Sequence, residues 1–457
     1  MNHILKLLST GTIITFASLI IASYGWTQEA QVNDNGQPAR EARVFDLKRA
    51  IDAALRNHPA LATAEARKQA AETGIAAIGA QYRPFIAANA LLSNTLAGDR
   101  SVIIGNEVTT QAVVEGSFYT SNLAFVAPIV REGNLTVTTL PSERVAKAAY
   151  EAVEFQHEVT SNDVISNVTE TFYTALSDRE EADISKQLVE LNRLIAKNER
   201  LRFAQNLIPK MDVLSAEASL ASAEAALANA LTDLATSRRN FAAAIGLDPI
   251  SDEVQKLELV DKEEPVPPVE ALEDLLARAR SRHPSILAQG AIVQLAKEVL
   301  TRTNSERYPI VDVGLSIGTT DDYDLPTDFW SLRSFARLSW NIFDFGTVNL
   351  KVQQQAEVMQ VEERALDQIR SEVAQAVIEA HRNFANAQSQ VPSAKKAVEL
   401  QEEVVRNARK QHKQDLIPLA DLLRGEAALA SAHKSLAQAK YNARIEYGTL
   451  RTAIEGL

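Results

Sequence analysis

Asn57-His58-Pro59-Ala60-Leu61 recurs 225 residues later as Arg282-His283-Pro284-Ser285-Ile286, and this duplication decides the fold. Each copy is followed, at one shared spacing, by a second proline, which is Pro84 in the first copy and Pro309 in the second. Such a period is too long for the common solenoid repeats. We therefore predict two tandem copies of one unit of about 200 residues.

The composition argues against nucleic acid as a partner and against attachment through a lipidated cysteine. The chain has 457 residues, of which 46% are hydrophobic and 23% are charged, and its formal net charge is -12. Because binding to phosphates requires clustered lysine and arginine, this acidic balance argues against nucleic acid as a partner. The sequence contains no cysteine, so we expect neither a disulfide nor a lipidated N-terminal cysteine.

The first 25 residues have the features of an export signal. His3 and Lys6 give a weakly positive end, residues 7–22 are largely apolar, and small residues lead to a cleavage site expected after Gly25. The alternative is a membrane anchor, although this stretch is short for a span and contains several Thr and Ser residues. Residues 26–44 are polar and are expected to form a disordered leader.

Each copy begins with a helical segment that is interrupted at its His-Pro step, because the residue before a proline avoids the α region. These segments cover residues 46–83 and 269–308. The pattern then alternates, which predicts a pair of strands with one apolar and one polar face. In the second copy the apolar residues are Val311, Val313, Leu315 and Ile317, then Leu332, Ala336, Leu338, Trp340 and Ile342, and the polar face carries Arg333, Arg337, Ser339 and Asn341. We expect strands at about 85–95, 118–129, 309–319 and 331–343.

The predicted strands have the length of membrane-spanning strands. A tilted strand of about 10 residues crosses a bilayer, and aromatic residues lie near several strand ends, as they do in membrane barrels. An ordinary hairpin of a soluble domain is the alternative for any one strand pair. Four strands cannot close a barrel, since about eight are the minimum, and an open sheet edge is not tolerated in lipid. If the strands span a membrane, several chains must combine them.

The longest helical patterns follow the strands, at about 141–205 and 348–413, and predict rods of roughly 100 Å with a coiled-coil seam. Return helices end near residues 246 and 456, so each copy closes with a helical hairpin, turning at Asn206-Leu207-Ile208-Pro209 or Asp415-Leu416-Ile417-Pro418. Asn and Asp tolerate the left-handed conformation that ends a helix. An acidic stretch with three prolines, 247–269, is expected to be a surface linker around the rods. The seam comprises Ile165, Val168, Phe172, Ala175, Ile184, Leu188, Leu191 and Ile195, with Val373, Val377, Ala380, Phe384 and Ala387 in the second copy.

With this order of elements, the chain resembles the TolC family of outer-membrane efflux proteins over residues 45–457. The residues that carry the resemblance are the two His-Pro steps, Ala127-Pro128-Ile129 with Gly133, Asn341-Ile342-Phe343-Asp344-Phe345-Gly346, and the closing Ala244-Ile245-Gly246 and Ala453-Ile454. The resemblance implies a mainly α fold with transmembrane β-strands, built from two tandem repeats, 45–246 and 270–457. It implies a homotrimer in the lipid of the cell outer membrane, whose 12-stranded β-barrel continues into an α-helical barrel in the periplasm.

The resemblance also implies a passive exit duct for small molecules or proteins. Its partners would be a periplasmic adaptor protein and an inner-membrane RND or ABC transporter, and the hairpin tips would form the periplasmic mouth. Asp421 matches the family's gate position, Asp212 is its repeat mate, and Arg424 stands where the best-known member has a second acid. An arginine there would weaken a cation-binding ring, or pair with Asp421 as a latch. The adaptor-docking residues implied at the tips are Asn206, Leu207, Ile208, Asp415, Leu416 and Ile417.

Catalysis has little support in the sequence. The 7 histidines are scattered, and the Glu154–His157 pair lacks the second Glu-x-x-His that a di-iron bundle requires. We find no phosphate loop, nucleophile elbow or zinc signature, so we expect no catalytic residue, metal or cofactor. A periplasmic adaptor would have one helical hairpin rather than two. The main alternative is a structural trimeric coiled-coil protein without transport activity, and under that reading Asp421 could be a plain helix cap.

Overall fold

The computed structural model describes residues 44–95, 100–104, 107–111, 116–251, 254–255, 257–262, 266–321, 329–414 and 416–455. The expected export signal and the leader up to residue 43 lie outside the described residues. Most of the described residues are helical. None of the described helices combines the length and the apolar character that crossing a bilayer requires.

Two short helix pairs are each interrupted at a His-Pro step, as predicted. The first pair is α1 (Leu47–Asn57) and α2 (Pro59–Gln81), and the later pair is α5 (Leu272–Arg282) and α6 (Pro284–Ser305). The histidine at each break is extended, and its Nδ1 accepts a hydrogen bond of 3.2 Å from the amide of the second residue after it. Each histidine is therefore the N-cap of the helix that follows.

Two long helical hairpins, with helices of 64 and 35 residues in the first and 67 and 36 in the second, account for about half of the described residues. The first is α3 (Pro141–Ala204) with α4 (Lys210–Ala244), and the second is α7 (Thr347–Lys413) with α8 (Leu419–Ile454). With 64 residues, α3 is about 96 Å long. Within each hairpin the two helices pack against one another along their lengths.

The predicted seam is confirmed in α7 and in the first half of α3, where its residues are buried. In the second half of α3 the prediction is wrong by about one position. Ile184, Leu188, Leu191 and Ile195 are only half-buried. The buried residues there are Ala182, Ser185, Val189, Asn192, Ala196 and Glu199, which repeat with a period of seven. Every second member of this set is polar, and hydrophobicity alone therefore does not reveal the packed stripe.

Four antiparallel strands form the main sheet, in the order β2 (Phe85–Thr95), β5 (Gly116–Arg131), β8 (Ile310–Asp321), β9 (Phe329–Ser339). β6 (Asn134–Leu135) pairs with β5 at one end. A separate hairpin, β3 (Arg100–Ile104) with β4 (Glu107–Gln111), lies between β2 and β5 in the chain. Among the described strands β2 and β9 each have one neighbour, so the sheet has two open edges.

The segment expected as a surface linker contributes to the core. β1 (Val44–Phe45) pairs in parallel with β7 (Glu258–Leu259), and Val44 is thus structured although the leader was expected to include it. Val254, Leu257 and Leu259 are buried beside Phe172 of α3 and Phe241 of α4. The surface prediction is wrong for these residues because the apolar members of an otherwise acidic stretch fill the space beside α3 and α4.

Candidate functional site

The first hairpin tip is a helix-ending turn followed at once by the next helix. Asn206 has a φ of 58°, which confirms the predicted left-handed residue. Its amide donates to the carbonyl of Phe203 at 2.8 Å, and the amide of Leu207 donates to the carbonyl of Arg202 at 3.0 Å. These two bonds form a Schellman motif. Leu207 remains exposed, so the tip presents an apolar side chain to its surroundings.

The second tip repeats this geometry where it is described. The amide of Leu416 donates to the carbonyl of Gln411 at 3.0 Å. This bond corresponds to the Leu207–Arg202 bond of the Schellman motif in the first tip. Asp415, the residue expected in the left-handed conformation, lies outside the described residues. Leu416 is exposed like Leu207, whereas Ile417 and its mate Ile208 are half-buried.

Asp421 and Arg424 form an ion pair within the first turns of α8. The distance from Arg424 Nη1 to Asp421 Oδ1 is 2.8 Å, and both side chains are exposed. Asp421 is not the helix cap, because the N-cap of α8 is Pro418 and no side-chain capping bond is present there. Asp212 occupies the same place in the first turn of α4, after Pro209. Of the two predicted roles for Arg424, the geometry corresponds to pairing with Asp421.

Each of the two tips also has an arginine–glutamate ion pair, which the sequence analysis did not predict. Arg200 Nε donates to Glu217 at 2.7 Å in the first hairpin, and Arg409 donates from Nε and Nη2 to both carboxylate oxygens of Glu426 in the second. Both members of the pair are separated from their mates by 209 residues. The Glu426 side chain is only 3% exposed, and its hydrogen bonds raise the pKa of the Arg409 guanidinium above its ordinary value. The shared spacing could have revealed this pair.

A buried carboxylate also connects the two hairpins near their tips. Glu199 of α3 lies 3.7 Å from Arg202 of the same helix and 4.0 Å from His412 Nε2 of α7. The other ring nitrogen of His412 lies 3.3 Å from the carbonyl oxygen of Ile417. Beside this group Ala196, Ala216 and three leucines of α8, Leu419, Leu422 and Leu423, form an apolar cluster. Polar and apolar contacts thus hold the first hairpin against the second.

Comparison with known proteins places this architecture in a family. Residues 50–247 and 275–456 match the family model described as outer membrane efflux protein. A search of curated proteins found no match. The outer membrane protein VceC from Vibrio cholerae is similar, with 17% identity over 90% of this chain and 96% of that chain, and a TM-score of 0.71.

Two further solved channels are similar in fold. The CmeC outer membrane channel of Campylobacter jejuni has 15% identity over 90% of this chain and 85% of that chain, with a TM-score of 0.73. The MtrE outer membrane channel of Neisseria gonorrhoeae, solved in its open state, has 18% identity over 90% of this chain and 89% of that chain, with a TM-score of 0.68. Since the family model matches most of the chain, this protein belongs to the outer membrane efflux protein family and is located in the outer membrane.

Proposed function

We propose that this protein is the passive exit duct of an efflux or secretion system, formed by three copies of the chain. Their 12 strands would close one β-barrel in the outer membrane, and their helical hairpins would continue it as a tunnel through the periplasm. A periplasmic adaptor would dock at the tips and connect the duct to an inner-membrane RND or ABC transporter. The cargo would be small molecules or proteins. The match of the family model in two segments supports the tandem repeat.

The observation that carries the proposal is a difference between α2 and α6, which occupy equivalent positions in the two copies. α6 packs against both long helices, α3 and α7, whereas the long helix that packs against α2 is α3. Eight residues of α6 are buried, but only Leu61 and Ala64 are buried in α2. One side of α2 is thus uncovered in the single chain.

The long helix α7 has a matching uncovered region. None of its residues 347–372 is buried, although α6 packs against this helix, and Leu350 and Val361 are 67% and 62% exposed. If the copies repeat around a ring, α2 of one chain meets α7 of the next as α6 meets α3 within a chain. Such a head-to-tail interface closes when the rotation completes a circle. Closure would also join the open edges β2 and β9.

The outer face of the sheet supports a location in lipid. Leu315, Ile317, Leu332 and Leu338 alternate with polar residues along β8 and β9, and each of the four is about half or more exposed. Contiguous exposed apolar surface of this kind indicates contact with lipid or with another protein. A closed barrel would place these residues against lipid and leave no unpaired edge within the bilayer.

A cysteine cross-link tests the ring directly, because the natural chain has no cysteine. Within one chain Arg144 of α3 pairs with Glu298 of α6, at 2.9 Å. Moving each residue to its repeat mate gives Gln353 of α7 and Thr73 of α2, both exposed here.

A bis-maleimide, which bridges thiols that are too far apart for a disulfide, should therefore link separate chains of a T73C/Q353C variant in membranes, up to a covalent trimer. The control R144C/E298C should be linked within one chain by the same reagent. A T73C/Q353C variant that stays monomeric, while the control pair is linked, would refute the ring.

Conductance tests the gate. We propose that the Asp421–Arg424 pair, with Asp212 at the other tip, helps keep the periplasmic mouth narrow. In planar lipid bilayers the channel should conduct poorly, and Asp421→Ala or Arg424→Ala should raise its conductance. An exposed pair contributes roughly 0–1 kcal/mol, so neither variant should alter folding. Unchanged conductance in both variants would exclude these residues from the gate.

A further inference from the structure

The sheet strands carry very few charges, and most of those are positive. Among the described side chains of β2, β5, β8 and β9, the charged residues are Arg131, Asp312, Arg333 and Arg337. The chain as a whole has a formal net charge of -12. With Asp321, the last residue of β8, the four strands contain three arginines and two aspartates, so they have a small net positive charge within an acidic protein.

The strand register places Arg333 and Arg337 on the polar face of the sheet. Arg333 lies opposite Ser316 and Arg337 lies opposite Asp312, with the pair Phe335 and Gly314 between them. Residues two apart on a strand, and residues directly opposite on its neighbour, share one face. The face that carries the two arginines is thus the one opposite to the exposed leucine face.

The guanidinium of Arg337 is held in place by a neighbouring aromatic ring. It lies over the Phe335 ring, with its Cζ 5.6 Å from the ring centroid. The ring in turn lies across Gly314, because a Cβ on that glycine would be 2.6 Å from the ring. A cation held against an aromatic face in this way is oriented without being neutralised.

Among the described side chains of this face, the acidic one is already paired. Asp312 forms a short ion pair with Arg131, which also donates to the carbonyl of Val311 at 3.3 Å. Both members of this pair are largely buried, whereas Arg333 and Arg337 are exposed. Within the described part of the chain, no ion pair involves Arg333 or Arg337. Two positive charges per chain therefore remain available for a ligand.

We propose that Arg333 and Arg337 make the strand end of the duct selective for anions, so that anionic solutes are its preferred small cargo. This inference rests on the proposed function, since the polar face becomes the lumen only when three chains close the barrel. Three copies then supply six arginines in two rings. Rings of arginine or lysine are the usual means by which a pore selects anions.

The spacing of the two rings sets the conditions of the test. Four residues of a strand span about 13 Å, and the Debye length is about 10 Å at 0.1 M salt but only about 3 Å at 1 M. The point midway between the rings lies about 6.5 Å from each, which is within one Debye length at 0.1 M but beyond two at 1 M, so the positive potential is continuous between the rings only at low salt. A potential of about one kT per unit charge favours chloride and disfavours potassium by the same factor, so it changes the ratio of chloride to potassium permeability by roughly sevenfold.

The experiment measures the reversal potential of single channels under a potassium chloride gradient near 0.1 M salt. All variants carry D421A and R424A, so that the proposed gate pair is absent from each of them and the remaining tip charges are the same throughout. This parent channel should prefer chloride, and R333Q/R337Q should lower the chloride-to-potassium ratio by about sevenfold. R333K/R337K keeps the charge and should restore the preference. Ser316→Glu, which places a carboxylate opposite Arg333, should also lower the ratio.

Block by a polyanion is a second readout. Tripolyphosphate should block the parent channel at about 0.1 M salt, and the block should weaken at least tenfold in R333Q/R337Q. Channels that conduct but show the same ion preference and the same block in R333Q/R337Q as in the parent would overturn this inference alone. The absence of channels from every variant and from the parent would instead refute the proposed function, and this inference with it.

Discussion

Replacing Arg409 by alanine is expected to loosen the second hairpin tip far more than replacing its repeat mate Arg200 loosens the first. The two arginines have the same partner type at the same spacing, but the burial of the partner differs. Glu426 is 3% exposed and Glu217 is 38% exposed. The two variants therefore remove the same group, and only Arg409→Ala leaves a carboxylate without a partner in a buried position.

The different burial of the two glutamates sets the expected loss of stability in each variant. Breaking a fully buried ion pair costs about 3–5 kcal/mol, because the remaining charge is stranded. Since Arg409 itself is half exposed, we expect roughly 2 kcal/mol for Arg409→Ala. For Arg200→Ala we expect about 0–1 kcal/mol, as for other exposed pairs. A difference of 2 kcal/mol corresponds to roughly a 30-fold change in an opening equilibrium.

Amide hydrogen exchange of the detergent-solubilised protein measures these local opening equilibria. Peptides covering residues 405–430 should exchange roughly 30-fold faster in Arg409→Ala, whereas peptides covering 196–221 should change less than about fivefold in Arg200→Ala. Adding Glu426→Gln to Arg409→Ala should recover part of the loss, since a neutral amide is less costly to bury than a carboxylate. Equal acceleration at the two tips would refute the argument from burial.

Four further substitutions test the helical part of the molecule, each by the thermal unfolding midpoint. Gly246→Ala should destabilise the protein by roughly 3 kcal/mol and Gly346→Ala by only about 1 kcal/mol. Both glycines have a positive φ, but only at Gly246 would the added Cβ meet backbone, at 2.6 Å, so equal losses would contradict this reasoning. Burial, and then the neighbouring Glu170, raise the pKa of Glu446, so Glu446→Gln should stabilise the protein at pH 7. That gain should vanish as the pH falls below the ordinary value of 4.5, and a gain that persists in acid would contradict it. Asn192→Leu should stabilise the protein by about 1 kcal/mol, because the buried Asn192 Oδ1 has no hydrogen-bond partner among the described residues. A destabilisation of similar size would contradict the conclusion that this oxygen is unpaired.

Local features of the fold could be predicted from the sequence because they depend on single residues. The proline after each histidine ends the first helix of a pair, and the φ of 58° at Asn206 reflects the tolerance of asparagine for the left-handed region. Alternation along Val311–Ile317 corresponds to β8, since period two exists only in extended chain. The Asp421–Arg424 pair could also be predicted from the sequence, because residues three apart on a helix are neighbours.

Other features depend on which faces meet, and these were predicted poorly. Ser185, Asn192 and Glu199 are buried on α3, although a scale of hydrophobicity assigns them to the surface. Leu257 is buried in a segment whose acidic composition suggested a linker. The Arg409–Glu426 pair joins α7 to α8 across 17 residues, so its two members are not neighbours in sequence, and the repeated spacing of 209 residues is the one sequence signal that links it to Arg200 and Glu217.

The difference between α2 and α6 also indicates that a single chain is less stable than a ring of chains. A duplicated unit should bury equivalent residues twice if each copy were complete in itself. Instead α6 buries eight residues and α2 buries two, because the second long helix that α6 packs against comes from the other half of the same chain. In a ring of identical chains every α2 would gain the corresponding neighbour, and the apolar surface of α7 would be covered at the same step. The folded free energy would then depend on protein concentration, as it does for obligate oligomers. Dilution of the detergent-solubilised protein should therefore lower its unfolding midpoint, and a midpoint independent of concentration would mean that α2 needs no neighbour.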